Sequence, residues 1–194
     1  MFVPSHNEKL MTSASKSKAD VLLLDVEDSV QPFANKQIAR NTILKYLKSG
    51  VFTDKKIFPR VNDRESGELL KDITQLTVEG ITGFMYPKSQ NGQDVYFFDK
   101  LLETIEYEKN IPIGTFKIIP LIETASAVLN AQEICLASDR VIAIAYGSED
   151  FISDLYDLEK RVCSINTDYC NGYIDYEDYL LEHNQFEQEL EEIL

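Results

Sequence analysis

Residues 116–150 read FKIIPLIETASAVLNAQEICLASDRVIAIAYGSED, and the fold turns on them. Two apolar runs, KIIPLI at 117–122 and VIAIA at 141–145, are strand-length and show no polar–apolar alternation. Strands of that kind are buried on both faces, as in a parallel sheet covered by helices. Each run is followed by carboxylates, Glu123 after the first and Glu149 and Asp150 after the second. Between them Ala125–Ala137 carries helical periodicity. Strand, helix and strand in that order make the right-handed unit from which parallel sheets are built.

The same alternation extends toward residue 1. Strands are expected at Met1–Val3, Val21–Asp25, Ile57–Arg60 and Gly83–Tyr86, and helices at Glu8–Ser15, Asn35–Leu47, Gly67–Val78 and Val95–Tyr107. In the second helix Ile38, Ile43, Leu44 and Leu47 form the expected buried face, with Lys36, Arg40 and Lys45 interspersed. Either a doubly wound open sheet or a closed (β/α)₈ barrel satisfies the pattern. The loop after the first strand, VPSHNEKL at 3–10, is not glycine-rich, which speaks against the dinucleotide-binding open sheet. Asp25, Glu27, Arg60, Asn62, Lys88, Glu123, Glu149 and Asp150 all stand at or just past strand C-termini, the rim where a barrel keeps its active site. The expected fold is therefore α/β, a TIM-type barrel. It is incomplete at about six βα units, because a full barrel needs eight strands and about 250 residues.

The chain has 194 residues, 44% hydrophobic and 27% charged, with a net charge of −14. Such a balance suits a globular protein and opposes a nucleic-acid groove, which needs a basic stripe. The charge is uneven. Residues 151–194 carry 12 acidic and 2 basic side chains, against 21 and 17 before them. Two parts follow: a barrel-like domain over 1–155 and an acidic, tyrosine-rich, mainly helical tail over 156–194. The tail, or a second subunit, is expected to cover the gap between the first and sixth strands. With three unpaired cysteines, no basic–apolar leader and no long apolar run, a cytoplasmic protein without a membrane span is expected.

Glu123 and Asp150 follow consecutive apolar strands, and two such carboxylates completed by water and substrate oxygens are the usual protein share of a Mg²⁺ site. The alternative is that each caps the helix that follows. Arg60 offers a planar fork for a substrate carboxylate, or a salt bridge to Asp25, Glu27 or Asp28. In LLLDVEDSV one carboxylate could meet Arg60, another act as a base, and the rest cap or face solvent. Lys88 either adds positive charge near the pocket or lies on the surface.

MFVP…EKL, ADVLLLDVEDSV, FPRVND, GITGFMYPKSQ, FKIIPLIETASAVLNAQEI and RVIAIAYGSEDFISDL together resemble the citrate lyase β-subunit family of the HpcH/HpaI aldolase superfamily, which includes citryl-CoA and malyl-CoA lyases. The resemblance spans roughly residues 1–155. It implies a (β/α)₈ barrel performing Mg²⁺-dependent carbon–carbon cleavage or condensation of 3-hydroxy acyl thioesters, with CoA only as part of the substrate and Mn²⁺ as a substitute metal. It further implies that Arg60 binds the keto-acid carboxylate and that Glu123 and Asp150 hold Mg²⁺, so that Glu123 also borders the substrate. Asp25, Glu27 and Asp28 would serve the metal-bound waters and the proton transfer.

Two departures stand out. The family's arginine in the first βα loop is replaced by His6 and Asn7, which weakens the case for a CoA thioester. Nothing after Leu155 resembles the family's last two βα units; instead Asn171–Asp178 resembles half of an EF-hand calcium loop. The expected function is a Mg²⁺-dependent lyase or aldolase on a short carboxylated 3-hydroxy acid or its thioester, in a homo-oligomer or a lyase complex. The alternative is a catalytically impaired homologue serving as a metal-binding or assembly subunit.

Overall fold

The computed structural model describes residues 1–171, 175, 177–182 and 184–185. Six strands alternate with helices: β1 (Phe2–Pro4), α1 (Glu8–Ser15), β2 (Val21–Asp25), α2 (Asn35–Lys48), β3 (Lys56–Arg60), α3 (Leu69–Leu76), β4 (Gly83–Tyr86), α4 (Gly92–Glu108), β5 (Lys117–Ile122), α5 (Ala125–Leu129), α6 (Ala131–Leu136), β6 (Ala145–Tyr146) and α7 (Ser148–Cys170). The strands pair in sequence order and all in parallel, as right-handed βα units demand.

Period-two alternation divides the strand residues between two cores. Val3, Leu22, Leu24, Ile57, Phe84 and Ile118 face the helices and join the larger core with Met11, Ile43, Ile73, Phe98 and Leu102. Leu23, Phe58, Met85, Ile119, Leu121 and Ala145 pack together on the other face. The sheet therefore carries a helix-covered face and a second apolar cluster, as the wall of a barrel does. Gly83 allows β4 and β5 to approach, since a Cβ there would lie 2.1 Å from the Lys117 carbonyl oxygen.

Several expectations need correction. Ile38 is exposed, whereas Lys36 and Arg40 of α2 are buried, Arg40 being 1% exposed. Arg40 survives in the core because Nε meets Asp72 Oδ1 at 2.7 Å and Nη2 meets Glu68. The helix expected over Ala125–Ala137 breaks at Asn130, whose side chain turns to the Gln90 carbonyl and Ser126. The sixth strand is not buried on both faces. Only Ala145 and Tyr146 join the ladder, with one bridge at Val141, and Ile142, Ile144 and Tyr146 are exposed.

The tail is helical at its start, and α7 runs unbroken through Leu155 and Tyr156. Ile152, Leu155 and Tyr156 are exposed, as are Met1 and, on β1, Phe2. Among the described residues the tail does not bury these edges. An α7 of 23 residues with acidic side chains opening its first turn satisfies local helix rules without tertiary cover. Among the described residues no helix is long and apolar enough to cross a membrane.

Candidate active site

Register decides which charged groups meet. Asp25 and Arg60, the last residues of β2 and β3, are direct cross-strand partners. Arg60 Nε donates to Asp25 Oδ1 at 2.8 Å and Nη2 to Oδ2 at 2.7 Å, a two-pronged contact. Asp25 also accepts from Glu27 N, Ser29 N and the Ser29 hydroxyl. Burial alone would raise the Asp25 pKa. Arg60 and Ser29 more than offset it and hold the carboxyl below its ordinary range. The remaining nitrogen, Nη1, lies 3.3 Å from Asp28 Oδ2 and 3.0 Å from Glu27 Oε2. Glu27 Oε2 is off the N–H direction and makes no hydrogen bond.

Three carboxylates thus share one guanidinium, and Glu27 is the one left short. Burial first, then its contact with the Asp28 carboxyl, push Glu27 up to about 8 against the pull of Arg60 and Lys88. Arg60 is nearly buried, and the Phe2 ring lies 5.5 Å from its Cζ.

Glu123 follows β5 directly and is buried. Its Oε1 accepts the backbone N–H of Lys88 at 2.7 Å, from a residue with φ of 52°. Burial raises the Glu123 pKa to about 7, and the Asp150 charge adds to the rise. Gly147 closes over this carboxyl, with a would-be Cβ 3.0 Å from Glu123 Cβ and 3.2 Å from Oε2. Gly147→Ala should therefore displace the Glu123 carboxyl by a few tenths of an ångström. A crystal structure showing it unmoved would refute that.

A cavity of about 550 Å³ joins these groups, lined by Phe2, Asp25, Arg60, Glu123, Tyr146 and Asp150 among others. Phe2, Leu121 and Tyr146 add apolar surface to its polar lining. Glu27 and Asp28 do not line it; they reach it through Arg60. Lys88 lines a neighbouring cavity, where Nζ meets Asp63 Oδ2 at 2.8 Å and Glu27 Oε1 at 3.8 Å. Asn62 is withdrawn from the rim: buried, it donates to the Val26 carbonyl and to Asp72. Phe2, Ser29 and Asp63 were not singled out by sequence reasoning. Phe2 had a signal, since period two from Val3, which faces the helices, puts it on the other face.

The donor set fits a hard divalent cation. Glu123 and Asp150 line one cavity, and the second charge raises the pKa of the first, as unneutralised like charges do. Among the described residues no group of three His, Cys, Asp or Glu side chains is placed to hold a metal, so water or substrate oxygens would complete the shell. Asn7, in the loop lacking the family's arginine, caps α1 by accepting from Lys9 N and Leu10 N. Of the EF-hand-like stretch, residues 172–174 and 176 lie outside the described residues. Asp175 caps the next turn, accepting from Glu177 N and Asp178 N.

The two raised carboxyls set a pH dependence. Both keep a proton in the folded chain that they lose above about pH 4.5 when unfolded. Metal-free stability should therefore fall as pH rises from about 5 to about 8, because the native state binds more protons there. Asp25 acts oppositely, its contribution being lost only on acidification below the ordinary carboxylate range. Calorimetry in chelator would test this, and a melting temperature flat or rising from pH 5 to 8 would count against it.

The chain matches the HpcH/HpaI aldolase/citrate lyase family over residues 1–163. The citrate lyase subunit beta of Leuconostoc mesenteroides subsp. cremoris is 32% identical over 155 residues, 80% of this chain and 51% of that protein. The L-malyl-CoA/beta-methylmalyl-CoA lyase of Rhodobacter capsulatus is 32% identical over 161 residues, 80% of this chain and 49% of that protein. In structure the chain resembles the citrate lyase beta subunit of M. tuberculosis complexed with oxaloacetate and magnesium. The TM-score is 0.56 at 26% identity, covering 80% of this chain and 60% of that one. The chain spans about half the length of the curated relatives it matches.

Proposed function

We propose that this chain, which belongs to the HpcH/HpaI aldolase/citrate lyase family, is a cytoplasmic Mg²⁺-dependent carbon–carbon lyase of short carboxylated 3-hydroxy acids or their acyl-CoA thioesters. The observation that supports the reading is one cavity lined by the Arg60 guanidinium and by the Glu123 and Asp150 carboxylates. Residues 1–155 would carry the chemistry, and α7 leads from them without a break into the acidic stretch over 156–194.

Glu123 and Asp150 would hold Mg²⁺, or Mn²⁺ in its place. When bound, the ion supplies Lewis-acid polarisation of the oxygen that becomes a carbonyl on cleavage. Arg60 binds the substrate carboxylate through its Nη1 edge, displacing the exposed Asp28, while Asp25 keeps the guanidinium plane fixed. Once the substrate carboxylate takes Arg60 Nη1, the released Asp28, with Glu27 beside it, would turn to the cavity and handle the proton: one takes it from the hydroxyl as the carbon–carbon bond breaks, and it returns to the enolate carbon. A carboxyl held at about 8 suits that exchange near neutral pH. Phe2, Leu121 and Tyr146 form the apolar wall against the rest of the substrate.

The test is release of oxaloacetate, glyoxylate or pyruvate from candidate hydroxy acids and thioesters, with and without Mg²⁺. Turnover lost in chelator is expected. The exposed edges of β1 and β6 favour a second reading, a catalytically impaired subunit of a homo-oligomer or lyase complex. Metal-dependent stabilisation with no turnover of any substrate would select it.

A further inference from the structure

We infer that Lys36 is a positioning residue for this site, an ammonium buried behind the acidic turn that fixes the backbone of Glu27; the inference rests on the functional reading above. Lys36 is the second residue of α2 and is 6% exposed. Its Nζ donates to the Glu27 carbonyl oxygen at 2.6 Å, and among the described residues it has no carboxylate partner.

Nothing local accounts for a lysine there. Burying an ammonium against neutral acceptors, with no carboxylate to pair it, is unfavourable. The first turn of a helix is its positive end, where a cation is disfavoured. That turn of α2 holds no acidic residue, and its N-cap Ala34 makes no side-chain hydrogen bond. A position that breaks burial and helix-dipole rules together is expected where function demands it.

What the lysine holds is specific. Its acceptor belongs to Glu27, whose carboxyl stands 3.0 Å from Arg60. The preceding carbonyl, of Val26, accepts Asn62 Nδ2 at 3.0 Å, and Asn62 is itself held by Asp72 through N and Nδ2, each at 2.7 Å. Buried Arg40 in turn grips Asp72. Two consecutive carbonyls of the acidic turn are thus pinned by side chains from two different segments. Lys36 touches no reacting atom. It acts through Glu27, by setting where that carboxyl sits against Arg60.

The test is Lys36→Met, compared with wild type by crystal structure, by melting with and without Mg²⁺, and by kinetics over a pH series. Since Glu123 follows β5 and Asp150 lies in the first turn of α7, away from the acidic turn after β2, the Mg²⁺-linked rise in melting temperature should survive. Glu27 should leave hydrogen-bond reach of Arg60 Nη1. Turnover should fall about tenfold or more at little-changed KM, as misplacement of a proton-transfer group does, with a shifted rate–pH profile. Lys36→Arg, which keeps a donor, should recover part of the loss. A Lys36→Met structure with Glu27 still beside Arg60, or unchanged turnover and pH profile, would overturn the inference. Should Lys36→Met fail to fold, Lys36→Gln is read by the same measurements. If wild type turns over no substrate, the functional reading fails on its own, while the position of Glu27 still decides the role of Lys36.

Discussion

Replacing Arg60 by methionine should cost about 3–5 kcal/mol of folding stability at neutral pH, the penalty for removing one partner of a buried ion pair. Asp25 is 2% exposed and would keep only its bonds to Ser29 and to the Glu27 amide. The Glu27 and Asp28 carboxyls would lose the cation they share. The loss should shrink on acidification, because without Arg60 the Asp25 carboxyl takes up a proton more readily and a neutral carboxyl is cheaper to bury. Arg60→Lys keeps the charge but not the fork, so it should be less destabilised yet bind oxaloacetate or pyruvate about tenfold or more weakly. Denaturant unfolding of the three proteins at pH 5 and pH 7 tests the first expectation and calorimetric titration the second. A loss under about 1 kcal/mol for Arg60→Met would show that the carboxylates find other partners.

Mg²⁺ at a hundredfold excess over its Kd should stabilise the wild type by about 2.7 kcal/mol. Glu123→Ala and Asp150→Ala should each abolish that gain. Asp150→Ala is the cleaner variant, because Asp150 is exposed, whereas Glu123 also holds the Lys88 backbone. The gain should grow between about pH 6 and pH 8, since Glu123, held at about 7, must shed its proton before it can ligate. An unchanged melting temperature with saturating Mg²⁺, in wild type at pH 8, would remove the metal from the site.

How far the residues alone disclose this molecule depends on what each position answers to. β2, β4 and β5 lie where apolar runs bounded by polar residues put them. Asp25, Arg60 and Glu123 were visible as site candidates because a charge ending a buried strand needs a reason. β6 misled because VIAIA has the composition of a two-sided buried strand while, among the described residues, only β5 pairs with it. Lys36 and Arg40 were hidden for the opposite reason. A cation on a helix reads as solvent-facing, and only tertiary contacts with the Glu27 carbonyl, Glu68 and Asp72 show that both point inward. Asn62 and Arg60, two residues apart, looked like equals; the structure sends one to the rim and the other into the Asp72 network.

The cross-strand pairing of Asp25 with Arg60 has a bearing on assembly as well as chemistry. Were β3 to slide by one residue along β2, every side chain of the strand would change faces. The guanidinium would then be driven among the leucines and isoleucines under the helices, and Asp25 would be stranded without a counterion. Wrong alignments are thereby made more costly than loss of apolar packing alone would make them. The bidentate pair works as a ratchet tooth that lets β2 and β3 seat in only one alignment, so groups proposed to meet the substrate also police how the chain folds.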